Sequence, residues 1–259
     1  MAVLDYHLHT EYSDGSSMER MVRAAAEAGL DGIGLADHCN VTSEVIRRDR
    51  GYFLHETYRE RRKEIDDLRE EHDVTLFDTV EVDYYPHDED RIRSFLEKAD
   101  FEFTIGSVHY VRDRHVAEVG YFNKQSESER QRLVDCYFDS VVQLIESELF
   151  DIAAHLDIFE RYEPFRGLAT EDHYAAVVDA LERSRTVPEI NVGRLFTSYG
   201  DNPYGKTHPK PAFLEYLADH GIAFTFGSDS HSPNVVTEAA DYYRDTLEPS
   251  EFSFVTLDL

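Results

Sequence analysis

A chain of 259 residues, 41% hydrophobic and 12% aromatic, can bury a full core in one large domain and is neither fibrous nor disordered. Fifty-three acids face 26 bases for a net charge of −27, which disfavours a phosphate backbone, and hence nucleic acid, as a partner. No apolar run approaches the roughly 20 residues needed to cross a bilayer, so no membrane partner is expected.

The first apolar run, residues 3–9, reads as a strand ending in Asp5-Tyr6-His7-Leu8-His9. It carries no basic region and meets a charge at the fifth residue, so no signal peptide is expected. Ser16-Ser17-Met18-Glu19 is a capping box opening an alanine-rich helix that stops at Gly29. Further strands are predicted at 32–38, 76–84, 103–109, 151–155, 187–192 and 223–228. Helices are predicted at 56–72, 88–98, 127–149, 170–185 and 211–220, the last ended by Gly221. Within the first of these, Arg59-Glu60-Arg61-Arg62-Lys63-Glu64 reads as a solvated face, with Glu60–Lys63 and Arg61–Glu64 spaced as i,i+3 pairs. Seven strands alternating with helices predict a parallel α/β fold, and a closed barrel suits the length. No repeat or linker divides the chain, so a single domain over residues 1–259 is expected.

The strand ends carry the chemistry. After His7 and His9 come Ala36-Asp37-His38, Glu81-Val82-Asp83, Gly106-Ser107-Val108-His109, His155-Leu156-Asp157, Glu189-Ile190-Asn191 and Gly227-Ser228-Asp229-Ser230-His231. Six of the 13 histidines thus fall at or just past strand C-terminal ends, which in a barrel share one mouth. His7 and His9, at i and i+2, leave their strand on one face and can grip one ion. Such a crowd of carboxylates and imidazoles calls for a compensating cation. Mixed nitrogen and oxygen donors without thiolate suit Zn, Mn or Fe, and more ligands than one tetrahedral ion can use predict two or three divalent ions. His55, His72, His87, His115, His173 and His220 read as surface residues. Cys39 and Cys136 are too few for a disulfide framework and fit a reducing cytoplasm. A metal-dependent C–N hydrolase of the amidohydrolase kind also has a His-x-His strand and a late aspartate, and a metal-binding module without turnover is the non-enzymatic alternative.

Asp5-Tyr6-His7-Leu8-His9-Thr10, Tyr12-Ser13-Asp14-Gly15 and Ala36-Asp37-His38 together resemble the opening of the PHP (polymerase and histidinol phosphatase) superfamily. The segments around Glu81, His109, His155 and Asp229-Ser230-His231 continue the pattern in order, and the middle ones are most similar to the histidinol-phosphatase branch. The resemblance implies a distorted seven-stranded (β/α) TIM-like barrel with a trinuclear metal site. By motif position, His7, His9, Glu81 and Asp229 would hold one ion. Glu81, bridging, would hold a second with His109 and His155. Asp14, His38 and His231 would hold a third. It further implies a cytoplasmic phosphomonoesterase of histidine biosynthesis, converting L-histidinol phosphate to L-histidinol and phosphate by attack of a metal-bound hydroxide. Another PHP phosphatase or a nuclease, acting for instance on a nucleotide, is the alternative. Arg161, six residues after His155, and Arg194, after Glu189-Ile190-Asn191-Val192-Gly193, would be the phosphate-binding bases. Glu189 would bind a substrate amine or fill the interior. His208-Pro209 stands where the branch usually has tyrosine-proline, a departure in a loop region that sets specificity.

With only five lysines among its bases, this acidic composition matches a halophilic, salt-loaded cytoplasm. Salt screens self-repulsion, so the melting temperature is expected to rise between dilute buffer and molar KCl. A flat or falling melting temperature would assign the acidity another origin.

Overall fold

A computed structural model of the chain describes residues 2–42, 52–193 and 207–258. Its strands, in chain order, are β1 (Leu4–Leu8), β2 (Gly32–Leu35), β3 (His38–Cys39), β4 (Thr75–Asp78), β5 (Glu81–Asp83) and β6 (Ile105–Ser107), then β7 (Tyr110–Val111), β8 (Arg114–His115), β9 (Ile152–Ala153), β10 (Val187–Asn191) and β11 (Thr225–Gly227). One sheet runs β1-β2-β4 and another β11-β10-β9-β6-β5-β3, with every pair parallel. Among the described strands only the β7–β8 pair is antiparallel, beside the isolated antiparallel bridges Cys39–Phe53 and Asn191–His208. The two parallel sheets meet where Leu8 bridges Ser230 and the Asp229 N–H donates to the His7 carbonyl at 2.8 Å. The fold is therefore α/β with mostly parallel sheets, and nearly continuous burial along β2, β5, β6 and β10 is what strands covered on both faces require.

Seven strands were expected, and eleven segments are present among the described residues. Apart from the hairpin, the difference has one physical cause. The expected strand at 32–38 stops after Leu35 and resumes at His38, and that at 76–84 stops after Asp78 and resumes at Glu81. Between the pieces sits Arg61. Its Nη1 donates to the Leu35 carbonyl at 2.8 Å and Asp37 Oδ2 at 3.0 Å, and its Nη2 to the Thr79 carbonyl and Asp78 Oδ1, both at 2.5 Å. The side chain is 0% exposed, so the reading of the 59–64 run as wholly solvated is wrong at this residue. Arg62 also pairs with Asp78 and donates to the Ala99 carbonyl. Guanidinium donors thus take two backbone carbonyls at the point where both ladders pause, and two buried carboxylates neutralise the charge. Removing one partner of such a pair generally costs about 3–5 kcal/mol.

The helices Leu54–Glu71, Glu89–Ala99, Glu127–Glu146, Glu171–Leu181 and Pro211–Asp219 fall close to their expected positions. A further helix, Pro233–Tyr242, was not anticipated, although Ser232-Pro233 is a sound start signal. The first helix, Met18–Glu27, buries Met18, Met21, Val22 and Ala25 at helical spacing. Its expected capping box does not form. Ser17 is the N-cap and makes no side-chain cap bond, the Met18 N–H goes to Glu11 Oε2 at 2.5 Å, and Ser16 Oγ turns to the His231 carbonyl at 3.3 Å. Cys39 and Cys136 are both free. No helix among the described residues is long and apolar enough to cross a membrane.

Candidate functional site

Parallel strands present their C-terminal ends together, and here those ends gather the predicted residues around one carboxylate. Glu81, on β5 and 1% exposed, has His38 Nδ1 at 2.5 Å, His155 Nε2 at 3.0 Å, His7 Nε2 at 3.4 Å, His109 Nε2 at 3.6 Å and His9 Nε2 at 3.7 Å. Asp229 Oδ1 lies 3.0 Å from His9 Nε2. Asp14 Oδ1 lies 3.2 Å from His231 Nε2 and 3.8 Å from His38 Nε2. Asp14 reaches the cluster because Gly15 lets the turn press on β1's end: a Cβ there would stand 2.3 Å from the His9 carbonyl oxygen. His155 and Asp229 hold left-handed backbone, with φ of 24° and 53°, a region that few non-glycine residues adopt and that concentrates at functional sites.

Three sets of donor atoms lie close enough to share an ion: His9, Asp14, His38 and His231; His7, His9 and Asp229; and His38, Glu81 and His109. The grouping departs from the expected one in three ways: Glu81 is absent from the His7, His9 and Asp229 set, His9 joins the Asp14 set, and His38, rather than His155, joins Glu81 and His109. All nine expected ligands are nonetheless in one cluster.

Four of the six imidazoles are held from outside at Nδ1. His109 Nδ1 meets Asp83 Oδ1 at 2.6 Å, and His231 Nδ1 meets the Asp229 carbonyl at 2.9 Å. His9 Nδ1 lies 3.4 Å from Ser13 Oγ, which donates to Asp37 Oδ1 at 2.9 Å. His7 Nδ1 meets Glu189 Oε2 at 3.0 Å. In each case Nε2 is left for the interior, the arrangement common to metal-bound histidines.

The electrostatics call for a cation. Burial alone would raise the Glu81 carboxyl, but His38, His7 and His109 hold it well below the usual carboxylate range. Asp229 is likewise held down against burial, chiefly by His9 and His7. Burial would lower His38, yet Glu81 and then Asp14 push it up to about 9, and Glu189 and Glu81 raise His7 well above the ordinary value. Burial and the neighbouring His231 and His38 push His9 down to about 3. Protons on some imidazoles thus balance the carboxylates. His7 Nε2 is buried and makes no hydrogen bond. A borderline divalent ion satisfies the same carboxylates, supplies that nitrogen with a partner and suits the N/O donor set, so the residues fit such ions.

Beside the cluster opens a cavity of about 220 Å³, lined by Asp14, His38, His109, Asp229 and His231 on one side and by Tyr52, His115, Arg161 and Tyr162 on the other. Arg161 Nε and Nη2 are buried and have no hydrogen-bond partner among the described residues. Its neighbour Glu160 is instead engaged with Lys210 Nζ at 2.8 Å and the Gly167 N–H at 3.0 Å. Arg194 lies outside the described residues. His208, 0% exposed, is held by Asp157 at 2.6 Å.

Sequence reasoning missed His115, read as a surface residue. The two-residue turn Arg112-Asp113 folds β8 back on β7, and the His115 ring stacks on His109 with centroids 5.7 Å apart and planes at 12°. Tyr52 and Tyr162 were missed as well. Tyr52 donates to Asp14 Oδ2 at 3.1 Å, and its ring lies 4.6 Å from that of His38. The hairpin was the one available signal, since Tyr110-Val111 and Arg114-His115 flank a two-residue link.

The PHP domain family model matches residues 5–192, and the chain belongs to that family. Among curated proteins it is 27% identical over 241 residues to the histidinol-phosphatase of Lactococcus lactis subsp. lactis strain IL1403, covering 89% of this chain and 85% of that one. It is also 27% identical over 238 residues to a Deinococcus radiodurans protein named "Probable histidinol-phosphatase", covering 90% and 87%. Among solved structures, the L. lactis histidinol phosphate phosphatase complexed with zinc, L-histidinol and phosphate aligns with a TM-score of 0.75 at 23% identity, over 98% of this chain and 95% of that one.

Proposed function

We propose that this protein is a metal-dependent phosphomonoesterase that hydrolyses L-histidinol phosphate to L-histidinol and phosphate. The observation that carries the reading is that half-buried Arg161 has two buried nitrogens, Nε and Nη2, with no hydrogen-bond partner among the described residues, and lines the same cavity as the imidazole–carboxylate cluster. Buried donors without an acceptor are costly, and a planar fork of donors matches a phosphoryl group. The names of the L. lactis and D. radiodurans relatives and the ligands of the L. lactis complex support the organic half of the substrate.

His7, His9, Asp14, His38, Glu81, His109, His155, Asp229 and His231 would hold two to three divalent transition ions, of Zn, Mn or Fe type. When bound, these would acidify water at neutral pH and neutralise charge on the phosphoryl oxygens. Arg161 orients the phosphoryl group and stabilises the charge that builds on it. Asp83, Glu189 and the Ser13–Asp37 pair keep the imidazoles in register. The His115 ring accepts the Ala117 N–H at Nδ1 at 3.1 Å, so in its neutral form it carries its proton on Nε2. The parallel bridge between Leu8 and Ser230 supports closure of the two sheets into the distorted seven-position barrel, built as one domain over residues 1–259. The net charge of −27 favours a small metabolite in the cytoplasm over a nucleic-acid substrate.

Gently purified protein should carry two to three transition-metal equivalents by elemental analysis. A chelator should abolish release of phosphate from L-histidinol phosphate, and added Zn or Mn should restore it. Full activity in metal-free protein would overturn the reading.

A further inference from the structure

Glu189 has an unusual load for a residue outside the expected ligand set. It lies on β10, is 0% exposed, and does not line the cavity. Oε2 meets His7 Nδ1 at 3.0 Å. Oε1 accepts the His155 N–H at 3.0 Å and the Asn191 Nδ2–H at 2.8 Å. Asn191 cannot turn its amide round without loss, because its Oδ1 accepts the Gly193 N–H at 3.0 Å. Against the far side, a Cβ on Gly227 would stand 2.2 Å from Glu189 Oε2, so the carboxylate packs on bare backbone of β11. One carboxylate therefore ties the ends of β1, β9, β10 and β11. Fully buried, engaged on both oxygens and absent from the cavity lining, it is out of reach of a substrate amine held in that cavity.

We propose that Glu189 is a positioning residue: by accepting a proton-bearing Nδ1 from His7 and the backbone N–H of His155, it fixes the His7 tautomer that offers Nε2 to a metal ion. The inference rests on the metal-dependent reading above. Glu189, which holds His7 Nδ1, is a carboxylate outside the expected ligand set that does not line the cavity, whereas Asp83, which holds His109, does line it. Only a group accepting at all three approaches fits the site, and an amide cannot. If the amide oxygen of a glutamine faced His7, its NH₂ would meet the donors of His155 and Asn191. If the NH₂ faced His7, the Nδ1–H would have to share the remaining oxygen, in the place of Oε1 at 3.2 Å, with the His155 and Asn191 donors, or else the ring would accept at Nδ1 and carry its proton on Nε2, where the ion should bind.

The test is a zinc titration of metal-free wild type and Glu189→Gln against a chelating competitor, with circular dichroism to verify that the variant folds. The variant should bind its tightest zinc about 10–100-fold more weakly, the usual range for losing an outer partner of a metal-bound histidine. Long-range ¹H–¹⁵N spectra of the zinc-loaded wild type should show His7 protonated at Nδ1 and bare at Nε2, a signature that needs no variant. Equal zinc affinity in a folded variant, or a His7 protonated at Nε2 in loaded wild type, would overturn the role of Glu189 while leaving the enzyme intact. Failure of wild type itself to bind zinc would overturn this inference together with the proposed function.

Discussion

Glu81→Gln should fold as the parent does, lose at least one metal equivalent and lose nearly all phosphate release. Five histidines lie within 3.7 Å of this carboxylate, and it shares no other structural duty with the core. A bridging carboxylate neutralises two ions at once and fixes their separation near the roughly 3.5–4 Å that suits clamping a displaced phosphoryl group. Glutamine keeps the volume, removes the charge and leaves one good ligating oxygen. It also removes the anion that pushes His38 up to about 9, so in the metal-free variant that imidazole should titrate lower. Metal analysis, activity and the His38 titration read three consequences of one change. A variant with full occupancy and a normal rate would require the site to be redrawn around the histidines alone.

Arg161→Ala should leave metal content unchanged and raise the barrier to hydrolysis by roughly 2–4 kcal/mol, the range for deleting an aimed electrostatic stabiliser. Metal retention is expected because Arg161 touches none of the expected ligands, and its free donors point to a group that arrives with the substrate. Arg161→Lys should recover only part of the loss, since an ammonium supplies charge without the planar fork. An unaltered rate in the alanine variant would reduce Arg161 to a loop charge and move attention to Arg194.

The site was more legible in the sequence than the sheet that carries it. Histidines and carboxylates at the ends of short apolar runs can be found without exact strand bounds, because parallel strands bring their C-terminal ends together whatever their exact lengths. That is why His7, His9, His38, Glu81, His109, His155, Asp229 and His231 converge although several strand boundaries moved. Arg61 was illegible for the opposite reason. In a run of alternating charges it has the same local pattern as its solvated neighbours. Its burial is decided by Leu35, Asp37, Asp78 and Thr79, acceptors 17 or more residues away that only the fold assembles. The breaks in two strands follow from that one side chain, so they were hidden with it. His115 was missed because its place in the cavity wall depends on the short hairpin at Arg112-Asp113, whose signal was not read, and Tyr52 because its contact with Asp14, 38 residues away, has no residue signature. The capping box failed on competition, since the His231 carbonyl accepts the Ser16 N–H at 2.9 Å, the donor that the box assigns to Glu19.

Phosphate release across a panel of monoesters tests the central claim most directly. With zinc or manganese added in molar salt, L-histidinol phosphate is expected to give the highest kcat/KM, well above nucleoside monophosphates and simple sugar phosphates. No release from L-histidinol phosphate, or a nucleotide hydrolysed as well or better, would contradict the account.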